Sequence, residues 1–453
     1  MSMASGVPLR IQPTSARARA RALQWLHLAT TAVAVSALFA ILIVLARVPA
    51  IGALFPGAQF YRVALTLHVN LSQLVWFSTF ACMLWSLSAG RRYRTEPYAL
   101  ASCAAGALLM IAAALSGDVR PIMSNYLPVL DSRVFLAGLL AFAIGLALQA
   151  SNGVRGLPTA FRDRDPVGVA LGLAALAIVL ALAMLPWSAI ELAGHVNEGY
   201  FEALFWGSGH VWEFALTTLM MLAWSSMIVD RNGHSVVPAR QLVQFLVLAN
   251  LPLLVAVAVQ ASQPVLSAGY RSGFTEIMRY ASWEFPLLLG LILLRHAGRS
   301  SSGWQRPVFT LSLGLFVAGL ILGACIREQT TVVTAHYHGT IGAVTLAFMG
   351  LTYQLMPALG LARTRPRAIV VQTACYGWGN LLMMAGLGGA GLMGAPRKVP
   401  GKVDVDIGVE TLSRIVMGIG GSLALVGILG FFLLVMRELR AHRPVVKGVV
   451  AHR

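Results

Sequence analysis

Apolar residues run in stretches of roughly twenty along the whole chain, and short clusters of arginine, glycine and proline separate them. A helix of that length spans the ~30 Å hydrocarbon core of a bilayer. The pattern therefore predicts membrane helices near 25–46, 62–88, 97–117, 133–150, 166–189, 201–229, 240–260, 276–295, 306–326, 332–359, 368–393 and 411–436, twelve in all. The fourth is short, and the eighth carries Arg279, Glu284 and Pro286.

Composition agrees with this reading. The chain is 57% hydrophobic and only 11% charged, whereas soluble domains carry roughly a quarter charged residues. The fold class is all-α: a polytopic integral membrane protein in which one membrane domain, 25–436, lies between basic tails at 1–24 and 437–453. Lipid is its medium. Most of the arginines fall on one side of the predicted helices: Arg10, Arg17, Arg19 and Arg21; Arg91, Arg92 and Arg94; Arg155, Arg162 and Arg164; Arg231 and Arg240; Arg295, Arg299 and Arg306; Arg363, Arg365 and Arg367; Arg437, Arg440, Arg443 and Arg453. Positive charge collects in cytoplasmic loops, so both termini are expected in the cytoplasm, and the expected location is a bacterial-type inner (cytoplasmic) membrane. The same rule accounts for the net charge of +17 without nucleic acid. The N-terminal arginines, Arg10 to Arg21, have no convincing small-residue cleavage site after them and read as a cytoplasmic tail.

Four histidines then stand out inside these apolar segments: His68, His210, His336 and His338. An ionisable side chain in hydrocarbon is costly and seldom lacks a partner. With the predicted topology, all three segments that carry them enter from the outer face. Each histidine lies between about five and nine residues in, which at ~1.5 Å per residue confines them to a layer some 6 Å deep. A single membrane histidine is ordinarily a hydrogen-bonding group between helices; four at one depth point to a shared metal or haem layer. His336 and His338 are two residues apart and diverge by about 200° on a helix, so they serve two sites on opposite sides. His68 completes a bis-histidine pair with one of them. The other leaves a haem with an open position, which His210 faces. Imidazole suits both iron and copper.

Cys82, Cys103, Cys325 and Cys375 lie in or beside apolar runs without CxxC spacing, and no C-x-x-C-H haem attachment site is present. Any covalently held haem must arrive on another protein.

Three stretches carry a family resemblance. TAHYHGTIGAVTLAFMGLTYQLMP resembles the tenth helix of subunit I of the haem-copper oxidase superfamily, LTLHVNLSQLVWF its second and LFWGSGHVWEFALTTLMMLAW its sixth. The resemblance implies that His68 and His338 hold a low-spin haem, His336 the iron of a high-spin haem, and His210 a copper or non-haem iron. It also implies that Arg397 and Lys398 contact haem propionates, and that a cytochrome-bearing subunit or soluble electron donor docks on the outer face.

Two departures bear on the reaction. The family's seventh helix carries a His-His pair that supplies further metal ligands; here Gln260, Ser262 and Gln263 stand near that depth and are poor copper ligands by comparison. Oxygen reductases also crosslink a tyrosine to a metal-ligating histidine. Where one class has it on the sixth helix this chain has Phe214, and the seventh helix has no tyrosine. Oxygen reduction thus loses its usual extra electron and proton source, whereas nitric oxide reduction, a two-electron reaction, does not need one. Glu213, one turn from His210, and Glu284 on the eighth helix are the acids expected to relay protons. The expected function is electron transfer from a low-spin to a high-spin haem that reduces a small gas, nitric oxide ahead of oxygen. A non-catalytic haem redox or sensor protein is the alternative from another class, and a transporter lined by the histidines is a third. No acid- or lysine-lined route to the cytoplasm suggests proton pumping.

Overall fold

The computed structural model describes residues 9, 11–45, 57–88, 94–117, 119–195, 199–300, 303–397 and 407–441. Helices dominate: α1 (Ala16–Leu45), α2 (Gly57–Val69), a π-helical segment (Asn70–Val75), α3 (Trp76–Ser88), α4 (Glu96–Leu115), α5 (Arg133–Val154), α6 (Leu157–Asp163), α7 (Pro166–Glu191) and α8 (Tyr200–Met227). They continue as α9 (Ala239–Asn250), α10 (Pro252–Ser262), α11 (Ala268–Ala281), α12 (Glu284–Ser300), α13 (Gln305–Ala324), α14 (Thr331–Leu355), α15 (Pro366–Leu392) and α16 (Ile407–Ala441). Strands β1 (Arg120–Ile122) and β2 (Val129–Asp131) pair antiparallel in the loop after α4.

A helix, or a consecutive pair of helices, overlaps each segment picked out by hydropathy. Among the described residues, nine stretches are long and apolar enough to cross a membrane. Helices α8, α14 and α15 fall outside that set, and they are the ones that carry His210, Glu213, His336, His338 and Asn380. Their inner faces hold the polar groups, while α4, α5 and α10 show Leu108, Leu140 and Leu254 outward. The chain is an all-α membrane protein.

Local chemistry explains where the rods start and break. Asp165 caps α7, its carboxylate accepting from Val167 N and Gly168 N at 3.0 Å each. Asp165→Ala is expected to lower stability by about 1 kcal/mol, read as an earlier thermal loss of helical signal in detergent. The predicted eighth helix is two. Pro286 has no N–H to return to Ser282, Glu284 Oε2 takes the amide of Trp283 (3.2 Å), and a new ladder starts from Trp283 O to Leu287 N (3.0 Å). Leu251–Pro252 divides the seventh in the same way.

Helix pairs approach closely through glycine. A Cβ on Gly106 of α4 would fall 2.6 Å from Gly138 O of α5, so only a hydrogen there permits the contact, as small residues do at membrane helix interfaces. Deeper in, Phe80 stacks on Phe348 with centroids 4.2 Å apart, and Trp76 meets Phe431 edge-on at 5.8 Å.

The connections expected on the outer side gather at one end of the bundle. Asn70 donates to Pro128 O (2.8 Å), Asn125 N to Glu202 Oε2 (2.6 Å) and Thr331 N to Ala395 O (2.9 Å). At the other end, Gln354 donates to Ser226 O (2.7 Å).

Candidate functional site

His68 lies in the last turn of α2, and the helix then widens into the π segment Asn70–Val75. A π turn adds a residue and rotates what precedes it, a device common at functional sites. The rotated imidazole meets α1: Nδ1 lies 3.0 Å from Ser36 O and 3.0 Å from Ser36 Oγ. His210 Nδ1 lies 2.6 Å from Trp206 O, and His336 Nδ1 lies 2.8 Å from Gly319 O. A carbonyl can only accept, so in each case Nδ1 carries the proton and Nε2 keeps a free lone pair. Metal-ligating histidines are oriented in this way.

His336 and His338 separate as their spacing requires. His336 leans on α13, where Gly319 supplies the carbonyl and Gly323, one turn on, leaves space; a Cβ there would lie 2.7 Å from His336 Nδ1. His338 turns towards Asn380 of α15 and within electrostatic reach of His68. The one histidine thus faces α13, and the other faces α15 and α2. His68, His336 and His338 are half-buried although they stand within helices of the bundle. Three imidazoles with free Nε2 atoms or close pairing, turned to two flanks of one helix, fit axial ligation of two haems.

The surroundings of His210 are different. Rings of Trp206, Tyr126 and Phe274 stand 4.9, 5.0 and 5.6 Å from its ring. Gly207 and Gly209, three residues and one residue before the histidine, make room for two of these rings: a Cβ on Gly207 would reach within 2.9 Å of Phe274, and one on Gly209 within 2.7 Å of a Tyr126 ring carbon. Gln260 accepts from Tyr270 OH (2.8 Å) and donates to Ser188 Oγ (3.4 Å), and Ser262 Oγ donates to Ala258 O (2.7 Å). These side chains pin α11 and α10 in place. Among the described residues no three His, Cys, Asp or Glu side chains gather for a metal ion. The donor set fits haem iron and does not fit a further copper or non-haem iron, so no chemical step is assigned to one.

Glu213 lines an apolar cavity of about 120 Å³ between α5, α7 and α8, together with Tyr126, Gly209, Trp212 and Ile341. Glu284 lies elsewhere: it starts α12, as described above, and takes no part in that lining. Arg397 bonds Asn125, Gln329 and Tyr337, with Asn125 passing the contact on to Glu202. Lys398 lies outside the described residues. Tyr126 sits in the loop between the two strands. Burial, reinforced by Glu213, Tyr337 and Glu202, pushes its phenol well above the ordinary range, so it stays protonated.

Sequence reasoning did not single out Ser36, Asn380, Tyr126 or Tyr337. Tyr337 was visible within His-Tyr-His, and the glycines around His210 were a sign of close packing. Ser36 and Asn380 carry no local signal, because each matters only through a partner distant in sequence.

Fold and site together describe an all-α membrane protein with the fold of a haem-copper terminal oxidase. A terminal oxidase dimer of that kind, solved by cryo-electron microscopy, superposes with a TM-score of 0.71 at 16% identity, over 95% of this chain and 85% of that one. No family model matches the chain. An uncharacterised protein of Rickettsia prowazekii is 24% identical over 480 aligned positions, 90% of this chain and 93% of that protein. An uncharacterised protein of Aquifex aeolicus is 26% identical over 346, 74% of this chain and 84% of that protein.

Proposed function

We propose that the chain is a twelve-span haem protein of a bacterial-type inner membrane, with both termini in the cytoplasm, which passes electrons from a low-spin haem to a high-spin haem where a small gas is reduced. His68 and His338 hold the first haem and His336 the second. The observation that carries this reading is the set of imidazoles whose Nδ1–H is anchored on a carbonyl, on either flank of α14. The likeness to a haem-copper terminal oxidase supports it. Haem supplies the redox chemistry when bound; the protein sets its ligands and its surroundings.

Nitric oxide is the substrate favoured over oxygen. Two nitric oxide molecules, two protons and two electrons give nitrous oxide and water, and Phe214 stands where an oxygen reductase of one class has its redox phenol. Glu213, with its carboxyl on the cavity, delivers protons. Electrons come from a cytochrome-bearing subunit or soluble donor at the outer face. The donor set around His210 favours a second reading, a non-catalytic haem redox or gas-sensing protein with the same two haems.

Reduced-minus-oxidised spectra of the detergent-purified protein, with and without carbon monoxide, test both. Two haems per chain, one binding carbon monoxide, are expected, and nitric oxide and oxygen consumption then separates catalysis from sensing. Absence of haem would leave the histidines to a transporter. Glu213→Gln is expected to slow nitric oxide consumption by roughly 100-fold with haem content unchanged. An unaltered rate would remove Glu213 from proton delivery.

A further inference from the structure

Helix α11 has two unlike faces. Tyr270, Phe274 and Ile277, spaced by four and three, form its buried side, and the first two pack on α8 against Gly207. The opposite side shows Ala268, Ser272, Glu276 and Arg279, all exposed. Glu276 and Arg279 pair with each other at 3.4 Å, yet 51% and 55% of their side chains stay uncovered. Depth makes that costly. The stretches Ala239–Ser262, which α10 completes, and Ala268–Gly298, which α11 begins, are each long and apolar enough to cross a membrane. Helix α11 turns back along α10: Tyr270 OH donates to Gln260 (2.8 Å), and a Cβ on Gly273 would fall 2.9 Å from Val259. Arg279 is six residues beyond Gly273, so at ~1.5 Å per residue it lies ~9 Å deeper than Val259. At that level α10 turns Leu254 and Val255 outward. An ion pair beside them faces hydrocarbon, where charged side chains are rarely left without protein around them.

We propose that this face of α11 is the seam on which a second copy of the chain docks, side by side in the membrane. Charge complementarity selects that occupant. The stripe carries one acid and one base, so its complement is a stripe with one base and one acid, which a second copy brings. A two-fold axis along the membrane normal sets the two α11 helices parallel, and a contact across such an axis is made twice. Each Glu276 then meets the partner's Arg279, and each Arg279 the partner's Glu276. The three-residue offset between them is only ~4.5 Å along the helix, within reach of side chains this long. Ser272 and Ala268, one and two turns before Glu276 on the same stripe, are small and let the two helices approach closely. Arg271 stands off the stripe, 5.5 Å over the ring of Trp206, so it does not oppose its own copy. The inference goes beyond the two-haem reading and needs only the membrane fold.

The test counts copies of the full-length protein in liposomes by single-molecule photobleaching, over a range of protein-to-lipid ratios. The wild type should be a dimer. Glu276→Arg and Arg279→Glu each set like charges across the seam, and each should weaken self-association on the order of 10-fold or more. An equal mixture of the two variants should dimerise again, because every contact between positions 276 and 279 then joins an acid to a base. The double variant Glu276→Arg/Arg279→Glu should dimerise for the same reason. Recovery in the mixture separates loss of the seam from misfolding, since neither chain has been repaired. A wild type that is monomeric at every ratio would overturn the proposal, as would dimers indifferent to both single reversals, which must form through another face. Single variants that stay apart when mixed would give the stripe to a different membrane helix or to lipid headgroups, and the seam between copies would be refuted.

Discussion

His338→Ala and His68→Ala are each expected to abolish the low-spin haem and spare the haem that binds carbon monoxide. In His336→Ala the outcome should be reversed. Each single variant should fall from about two haems per chain to about one by haemochrome titration, with low-spin absorption retained only in the His336 variant. The reasoning is geometric. His68 is anchored on α1 through Ser36, His338 leans towards Asn380 of α15, and the two lie within electrostatic reach of each other. His336 is held separately, on Gly319 of α13. Loss even of a hydrogen-bonding partner to a metal-bound histidine costs 10- to 100-fold in affinity as a rule, and loss of the ligand itself costs more. A variant of His338 that lost the carbon monoxide-binding haem instead would exchange the two assignments. Equal loss of both haems in all three would show that the sites are not independent.

The second large effect is expected at a residue that touches no cofactor. Gly319→Ala should destabilise the fold by about 1–3 kcal/mol, the usual cost of overpacking, and should selectively deplete the haem assigned to His336. A Cβ at Gly319 would lie 2.7 Å from Thr340 N and 3.0 Å from the carbonyl carbon of Gly339. Both neighbours are backbone of α14, so neither can rotate aside, and the helices must part. Parting them draws Gly319 O away from His336 Nδ1, which releases the imidazole that this carbonyl orients. Thermal melts combined with haem stoichiometry check the prediction. A stable variant with both haems intact would show that α13 and α14 tolerate separation without losing the site. Gly418, whose Cβ would meet nothing within 4 Å, is the control: Gly418→Ala should change neither quantity.

Much of the architecture was legible in the linear chain because the bilayer imposes a simple rule. Backbone polar groups in hydrocarbon must be satisfied within the segment, so each long apolar run is a helix wherever it lies. Even so, the eighth segment split at Ser282–Trp283 and the seventh at Leu251–Pro252, since proline interrupts the ladder regardless of hydropathy. Helix α1 begins at Ala16, well before the apolar run starts near residue 25. Arginine and alanine are good helix formers, so the basic segment continues the helix without being apolar. Glu284 was expected to relay protons; the structure sets it at the start of α12, outside the lining of the cavity that holds Glu213.

Sequence by itself determined what periodicity and solvent dictate: an all-α chain for lipid, a set of spanning helices, and two histidines that a two-residue spacing must turn to opposite flanks of one helix. Those properties follow from backbone geometry and need no knowledge of neighbours. Only the tertiary structure decided which carbonyl fixes each imidazole, that Asn380 stands by His338, and that a loop tyrosine fills the niche over Gly209. Such contacts join residues from 17 positions apart, as for His336 and Gly319, to 272, as for Arg397 and Asn125. Their partners are chosen by how closely the helices approach, and that distance is set by which glycines meet across an interface.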